Sequence, residues 1–362
     1  MKNILRKIPA VFKGETVERK EACTSCKATT GKLIGQVDYW DIKNSSIIKC
    51  QQCGLAQLDP MLTQEETAKG CLAYYVEESL RTSPRDDERN LLRNFRRGFL
   101  FGYSLKNKGI TPTSILELGP GSGYFAEGIK SVFPDAVVTV MDVNNEILKF
   151  NHSHHQFQTI ESSLEEYKPE LENKFDLIIA RDVLEHAIDF TKVIDNVGRY
   201  AKNGGLFHFI TPNGHEDVWK HYLTYTYQNS SSDLLINHVN YFDGTGLLND
   251  FKKRGFSPVE YYTYKLKTTR KGQGWKVSNK LMARVAQKKN SDEYVKEKIK
   301  ELKDSNFIKK EVLNKWYINT GMKFFTYLIA WYHHANIIKV SPELNVGHEI
   351  YGLFRMDKSG NK

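Results

Sequence analysis

The stretch that most constrains this chain runs from Ser114 to Ala126 and reads Ser-Ile-Leu-Glu-Leu-Gly-Pro-Gly-Ser-Gly-Tyr-Phe-Ala. An apolar strand ends in three alternating glycines, Gly119, Gly121 and Gly123, and a helix is predicted from near Tyr124. With no Cβ in the bend, a ligand can lie against bare backbone, and the first free N–H groups of the helix point back at it. This strand, turn and helix predict an open α/β sheet with a nucleotide-like ligand at the carboxyl ends of its strands.

The alternation continues beyond the turn. Strands are predicted at Ser114–Leu118, Ala136–Met141, Phe157–Ile160, Phe175–Ala180 and Leu206–Ile210. Asp142 closes the second strand about 20 residues past the glycines, where an acid accepts hydrogen bonds from the two hydroxyls of a ribose. From Gly121 the residues fit the dinucleotide pattern G-x-G-x-x-G/A. From Glu117 they fit the acidic-x-G-x-G-x-G pattern of S-adenosylmethionine (SAM) methyltransferases. The segment Phe175-Asp-Leu-Ile-Ile-Ala-Arg-Asp-Val-Leu-Glu-His186 separates the two, because it resembles the fourth-strand motif of class I SAM-dependent methyltransferases.

Gly204-Gly205 before the fifth strand and the run from Phe242 to Phe256 are similar to the same family, as is a final strand at His348–Met356. The resemblance implies a Rossmann-like fold with a mostly parallel seven-stranded sheet and SAM as cofactor. It implies that the backbone at Gly119 and Gly121 approaches the methionine moiety, that Gly123 belongs to the same cofactor-binding turn, that Glu117 holds the amino group and that Asp142 binds the ribose. It also implies that Ser162 and Ser163 lie near the adenine, and that Arg181 and Asp182 face the methionine end.

Four of the five cysteines form two pairs, Cys23-Thr-Ser-Cys26 and Cys50-Gln-Gln-Cys53, separated by 23 residues. Two such knuckles supply the four thiolates that tetrahedral Zn²⁺ prefers, so a structural zinc ribbon is expected, with strands at Lys32–Tyr39 and Ser46–Lys49. Cys71 is left over as a buried apolar residue. The run from Cys50 to Leu58 and the later His238-Val-Asn-Tyr-Phe242 resemble sugar C-methyltransferases, which carry an N-terminal zinc-binding domain. That resemblance implies a sugar, nucleotide-sugar or glycan acceptor.

Methyl transfer needs the acceptor held at attack distance and a base wherever the acceptor must lose a proton. His186 follows the fourth strand and His238 lies after the fifth, so both are candidate bases, with Glu185 beside the first. If Asp182, Glu185 and His186 shared one helical turn, they would lie on one face. With His238 they would resemble the E-x-x-E-H…H set of metal-dependent RNA 2′-O-methyltransferases.

The net charge of +9 is concentrated: residues 263–340 hold 18 Lys and Arg against 6 Asp and Glu, and the rest of the chain sums to −3. A generally cationic coat for nucleic acid is thereby disfavoured. The expected organisation is a basic N-terminal segment frayed over 1–20, a zinc ribbon over 21–58, a helical linker over 59–110, a SAM-binding core over 111–262, a basic and aromatic helical insertion over 263–345, and a final strand and tail over 346–362. A helix over Asp86–Lys106 should bury Leu91, Leu92, Phe95, Phe99 and Leu100. The aromatic half of the insertion is too short for a membrane span, and leaves open a peripheral membrane contact, a cover over the site or a dimer contact. No signal peptide is read at the N-terminus, so a cytoplasmic location is expected. RNA as acceptor, bound through the ribbon and the basic insertion, and a non-catalytic SAM-binding scaffold are the two alternatives.

Overall fold

The computed structural model of the protein describes residues 14–39, 43–67, 69, 88–214, 218, 232–233, 238–264, 344 and 349–358. Cys71, nearly all of the expected insertion (residues 265–343 and 345) and residues 346–348 of the expected final segment lie outside these described residues.

The N-terminal part is an antiparallel ribbon of β1 (Thr16–Glu18), β2 (Thr30–Tyr39), β3 (Lys43–Lys49) and β4 (Ala56–Asp59). Thr16–Glu18, expected in a frayed segment, pairs with Thr30–Lys32 and so belongs to the ribbon. Buried Asp59 fixes the chain there by accepting hydrogen bonds from the backbone of Lys20 and Glu21. Helix α1 (Glu88–Asn107) then leads into the larger sheet. It buries Phe95, Phe99 and Leu105, whereas Leu100 is 50% exposed, contrary to expectation. The cause is a close crossing. A Cβ on Gly98 would stand 1.9 Å from the Phe125 carbonyl oxygen, and one on Gly128 would stand 2.1 Å from that of Phe95. The two glycines therefore set which side of α1 faces inward.

The larger sheet is built from β5 (Ser114–Leu118), α2 (Tyr124–Lys130), β6 (Val137–Asp142), α3 (Asn145–His155), β7 (Gln158–Glu161), β8 (Phe175–Arg181), α4 (Phe190–Tyr200) and β9 (Ala201–Pro212). The short pairs β10 (Ser232–Asp233) and β11 (Asn240–Tyr241) follow, then α5 (Gly244–Lys253), β12 (Phe256–Tyr264) and β13 (Glu349–Met356). The strand order is β12-β13-β9-β8-β5-β6-β7, with β13 antiparallel to both of its neighbours and the pairs among β5 to β9 parallel. This is the Rossmann-like class I methyltransferase fold that the resemblance implied. Strand β9 starts earlier than expected, because Ala201 already pairs with Phe175 before an irregularity that contains Gly204 at φ 77°.

Strand alternation splits the core in two. Ile115, Leu177, Ile179, Leu206 and Leu353 pack with Phe95, Phe125 and Ile129 of α1 and α2, while Leu116, Ile178, Phe207 and Phe354 pack with α4 and α5. Cys23, Cys50 and Leu55 share the second cluster, so the ribbon shares a core with the larger sheet. The ribbon sheet itself takes in two later pieces: β11 pairs with β4, and β10 with β2.

Candidate functional site

All three glycines of the turn after β5 are left-handed, with φ of 59°, 53° and 72° at Gly119, Gly121 and Gly123. A side chain at any of them is strained, and the consequences in space differ. A Cβ at Gly123 would stand 1.9 Å from Asn151 Oδ1, whereas nothing lies within 4 Å of one at Gly121. The middle of the turn therefore opens onto free space, as a cradle for a ligand must. From α3, Asn151 donates to the Gly121 carbonyl at 2.9 Å, and a ring nitrogen of His155 lies 2.9 Å from that of Ser122. These two braces were not anticipated, and no motif marks them.

Glu117, one residue from the strand end, is 3% exposed. Its Oε2 has no hydrogen-bond partner among the described residues. Burial pushes its carboxyl up to about 8, against the pull of Arg181 and the Ala126 N–H. Arg181 lies with its guanidinium 4.0 Å from the centre of the Phe125 ring. A buried acid with an unpartnered oxygen, two residues before the first glycine of an open cradle, fits the ammonium and backbone-like end of SAM, so the residues present suit the cofactor.

Asp142 ends β6 and accepts from the Asn144 N–H at 2.8 Å; burial raises its pKa. The cap of α3 is Asn144, which accepts from Glu146 and Ile147. Asp142 is thus left out of the capping role. Ser162 is tied beside it, its N–H donating to the Asp142 carbonyl and its hydroxyl reaching Glu166 at 3.0 Å. Ser163 accepts from Glu165 N in the same turn.

The segment after β8 does not form the helical turn that would put Asp182, Glu185 and His186 on one face. Asp182 is left-handed at φ 54°, and only Leu184–His186 form a short 3-10 turn. Asp182, Glu185 and His186 therefore do not share one helical turn, and Asp182 leaves the set of four. What does come together is Glu185, His186 and His238, each offering a ligand or proton-accepting atom within 4.8 Å of the others. The His186 and His238 rings meet edge to face at 5.0 Å, and His238 Nε2 lies 4.0 Å from Glu185 Oε1. Glu185 is 1% exposed. Its other oxygen accepts from Thr211 Oγ1 at 2.8 Å, a partner at the end of β9 that the sequence did not reveal. Burial raises the Glu185 carboxyl to about 7, with the charge of His238 opposing and that of Asp182 assisting. The buried His208, by contrast, is pushed down to about 3 by burial and by Arg181, and stacks on Phe101 as a neutral core residue.

The four cysteines also converge. Cys23 and Cys53 sulfurs are 3.6 Å apart, and those of Cys26 and Cys50 are 3.4 Å apart. At a Zn–S length of ~2.3 Å the edges of a tetrahedral site are ~3.8 Å, so the donors fit a zinc ion in number, type and spacing. S–H bonds from Cys23 and Cys53 hold the Cys50 thiol far below its ordinary range. Bonding to Cys50 pushes Cys23 up to about 11, and bonding to Cys23 raises Cys53. Such a cluster can take up a cation as the thiols give up their protons. A cleft of about 590 Å³ lies between the knuckles and α5, but neither the glycine turn nor the histidine pair lines it.

Over residues 76–261 the sequence matches the family described as a methyltransferase domain. The chain belongs to this methyltransferase family. Among curated relatives, malonyl-[acyl-carrier protein] O-methyltransferase 2 of Ilyobacter polytropus is 28% identical over 102 residues, which cover 27% of this chain and 39% of that protein. Ubiquinone biosynthesis O-methyltransferase of Vibrio atlanticus is 28% identical over 113 residues, covering 30% and 47%. The matches span less than half the length of each relative. Among solved structures, phosphoethanolamine N-methyltransferase 2 of Haemonchus contortus, in complex with SAM, is 16% identical, covers 77% of this chain and 59% of its own, and has a TM-score of 0.42. No described helix of this chain is long and apolar enough to cross a membrane.

Proposed function

We propose that the protein transfers a methyl group from SAM to a sugar, nucleotide-sugar or glycan precursor, with a zinc ion held by Cys23, Cys26, Cys50 and Cys53 as structural support. The observation that carries the reading is the open cradle at Gly121 beside the unpartnered carboxylate oxygen of Glu117. SAM supplies, when bound, a methyl group already activated on a sulfonium. In this reading the backbone at Gly119 and Gly121 receives its methionine end, Glu117 takes the ammonium, Asp142 takes the ribose hydroxyls, and the Ser162–Ser163 turn borders the base.

The chain's remaining task is to hold the acceptor and move a proton. His238 or His186 accepts the proton from the acceptor hydroxyl or acidic carbon. Glu185, with Thr211 occupying one carboxylate oxygen, keeps the other toward His238 and stabilises the imidazolium that forms. Their separation is 4.0 Å, and catalytic hydrogen bonds of this kind tighten when substrate is bound. Support for the acceptor class comes from the resemblance of the cysteine ribbon and the His238 segment to sugar C-methyltransferases. The named relatives act on other acceptors.

A second reading, RNA as acceptor, draws on the net +12 of residues 263–340. The test of both is transfer of labelled methyl from SAM to a panel of nucleotide sugars, lipid-linked glycans and RNA. Label on a sugar-containing acceptor, lost in His186→Ala or His238→Ala, supports the first. Label on RNA, with binding that falls steeply with salt, replaces it with the second.

A further inference from the structure

Two buried amides join the cysteine knuckle to the turn that carries the candidate base. Gln57 on β4 is 0% exposed and Asn240 on β11 is 2% exposed. Gln57 Oε1 accepts from the Thr24 N–H at 3.2 Å, inside the first cysteine pair. Its Nε2 donates to Thr24 Oγ1 and to Asn240 Oδ1, both at 2.7 Å. Asn240 Nδ2 then donates to the carbonyls of Ala187 at 2.6 Å and Leu184 at 3.4 Å, the two residues that bracket Glu185 and His186. The backbone runs parallel to this chain of bonds. Leu58 N–H donates to Val239 O, and Val239 N–H donates to Glu185 O at 2.9 Å, beside His238.

Physical economy argues against a filling role. A buried amide loses its hydration and gains only where every polar group finds a partner, so two apolar side chains of the same volume would fill this space at less cost. What the amides add is direction, because each bond fixes one group against the next. The chain begins between two zinc-binding thiols and ends on both sides of the catalytic turn. We propose that Gln57 and Asn240 are positioning residues that transmit the geometry of the Cys23–Cys26 knuckle to Glu185, His186 and His238, so that metal loading of the ribbon sets the alignment of the base. This rests on the reading of the cysteines as a zinc site and of the histidines as the base. It gives the ribbon a part in the chemistry without contact with the donor.

The test reads the histidines directly and needs no acceptor. In full-length protein with ¹³C-labelled imidazoles, the Cε1–H signals of His186 and His238 are followed before and after metal removal by a chelator, and in Thr24→Val, Thr24→Ser and Gln57→Leu. Metal content and SAM affinity are measured on each. The inference predicts that chelation, Thr24→Val and Gln57→Leu each move the His186 and His238 signals. The signals of His155, which braces the glycine turn, and of His152 on the same helix should stay in place, and SAM affinity should stay within about twofold. Thr24→Ser, which keeps the hydroxyl, should return the wild-type spectrum.

Unmoved His186 and His238 signals in folded, metal-free protein or in Thr24→Val overturn the inference. A shift of every histidine together overturns it as well, since that reports general loosening. If Gln57→Leu does not fold, the Thr24 pair alone decides. Failure of the underlying readings looks different: metal analysis finding no zinc removes the metal reading, and full methyl transfer in His186→Gln and His238→Gln removes the base reading.

Discussion

Replacing Glu117 with Gln should abolish the acid side of the pH dependence of SAM binding. The carboxyl is buried, one oxygen is without a partner, and its pKa is raised to about 8. An ammonium brought against that oxygen stabilises the carboxylate, so the pKa is much lower in the complex than in the free protein. The sign follows: below pH 8 each binding event must first release the Glu117 proton, and affinity therefore rises with pH. The ionised fraction is about 1% at pH 6 and about 9% at pH 7, so SAM should bind about ninefold more tightly at pH 7 than at pH 6. Glutamine has no proton to release, and its affinity should be flat over this window.

Above pH 8, where Glu117 is ionised in the free protein, the variant lacks a charge-assisted hydrogen bond worth about 1.5–3 kcal/mol, a loss of roughly 10- to 150-fold, and at pH 7 the ionisation of Glu117 has already removed about 1.4 kcal/mol of that difference. The two proteins should converge as pH falls, because at pH 6 ionising Glu117 already costs the wild type about 2.7 kcal/mol. Calorimetry at pH 6 and 7, in two buffers of different ionisation enthalpy, reads both affinity and proton release. S-adenosylhomocysteine has the same amino group without the sulfonium and should show the same slope. A wild-type affinity that does not change between pH 6 and 7, or an equal slope in Glu117→Gln, refutes the assignment of Glu117 to the amino group.

Three further outcomes follow from the geometry. Gly121→Ala should cost about 1–2 kcal/mol of stability for a left-handed alanine. It should also weaken SAM binding at least tenfold, because the methyl enters the cradle; Gly123→Ala should lose more stability, with its Cβ against Asn151, and thermal melts and titrations separate the two. Metal analysis should find one zinc per chain, and a strong chelator should lower the melting temperature by several degrees, since Cys23 and Cys50 are part of a shared core; unchanged melting after complete metal removal argues against a structural role. His186→Ala and His238→Ala should leave SAM affinity intact, and at least one should cut methyl transfer about a hundred- to ten-thousand-fold; full activity in both would defeat the assignment of the base.

The glycine turn and the strand that ends at Asp142 were legible because each is local. A strand, three glycines and a helix need no distant partner to make a cradle, and Asp142 is fixed by the end of β6. The cysteine cluster was legible for a related reason, as paired thiols at ribbon spacing have few other uses. What escaped depends on contacts far apart in sequence. Asn240 and Gln57 are 183 residues apart, and β11 is only two residues long, too short for any periodicity to reveal that it joins the ribbon. Thr211 reaches Glu185 only because β9 runs beside β8. The spacing of Asp182, Glu185 and His186 would suit one helical turn, and a left-handed Asp182 breaks it. Leu100 was misjudged because two glycines 30 residues apart decide how α1 crosses α2.

The account depends most directly on which nucleotide the turn after Leu118 receives. Titration of the purified chain with SAM, S-adenosylhomocysteine and a nicotinamide dinucleotide, each alone, decides it. The prediction is one site per chain for the first two, lost when Asp142 is changed to Ala, and no heat from the third. Saturable binding of the dinucleotide with no response to SAM or its demethylated product would contradict it.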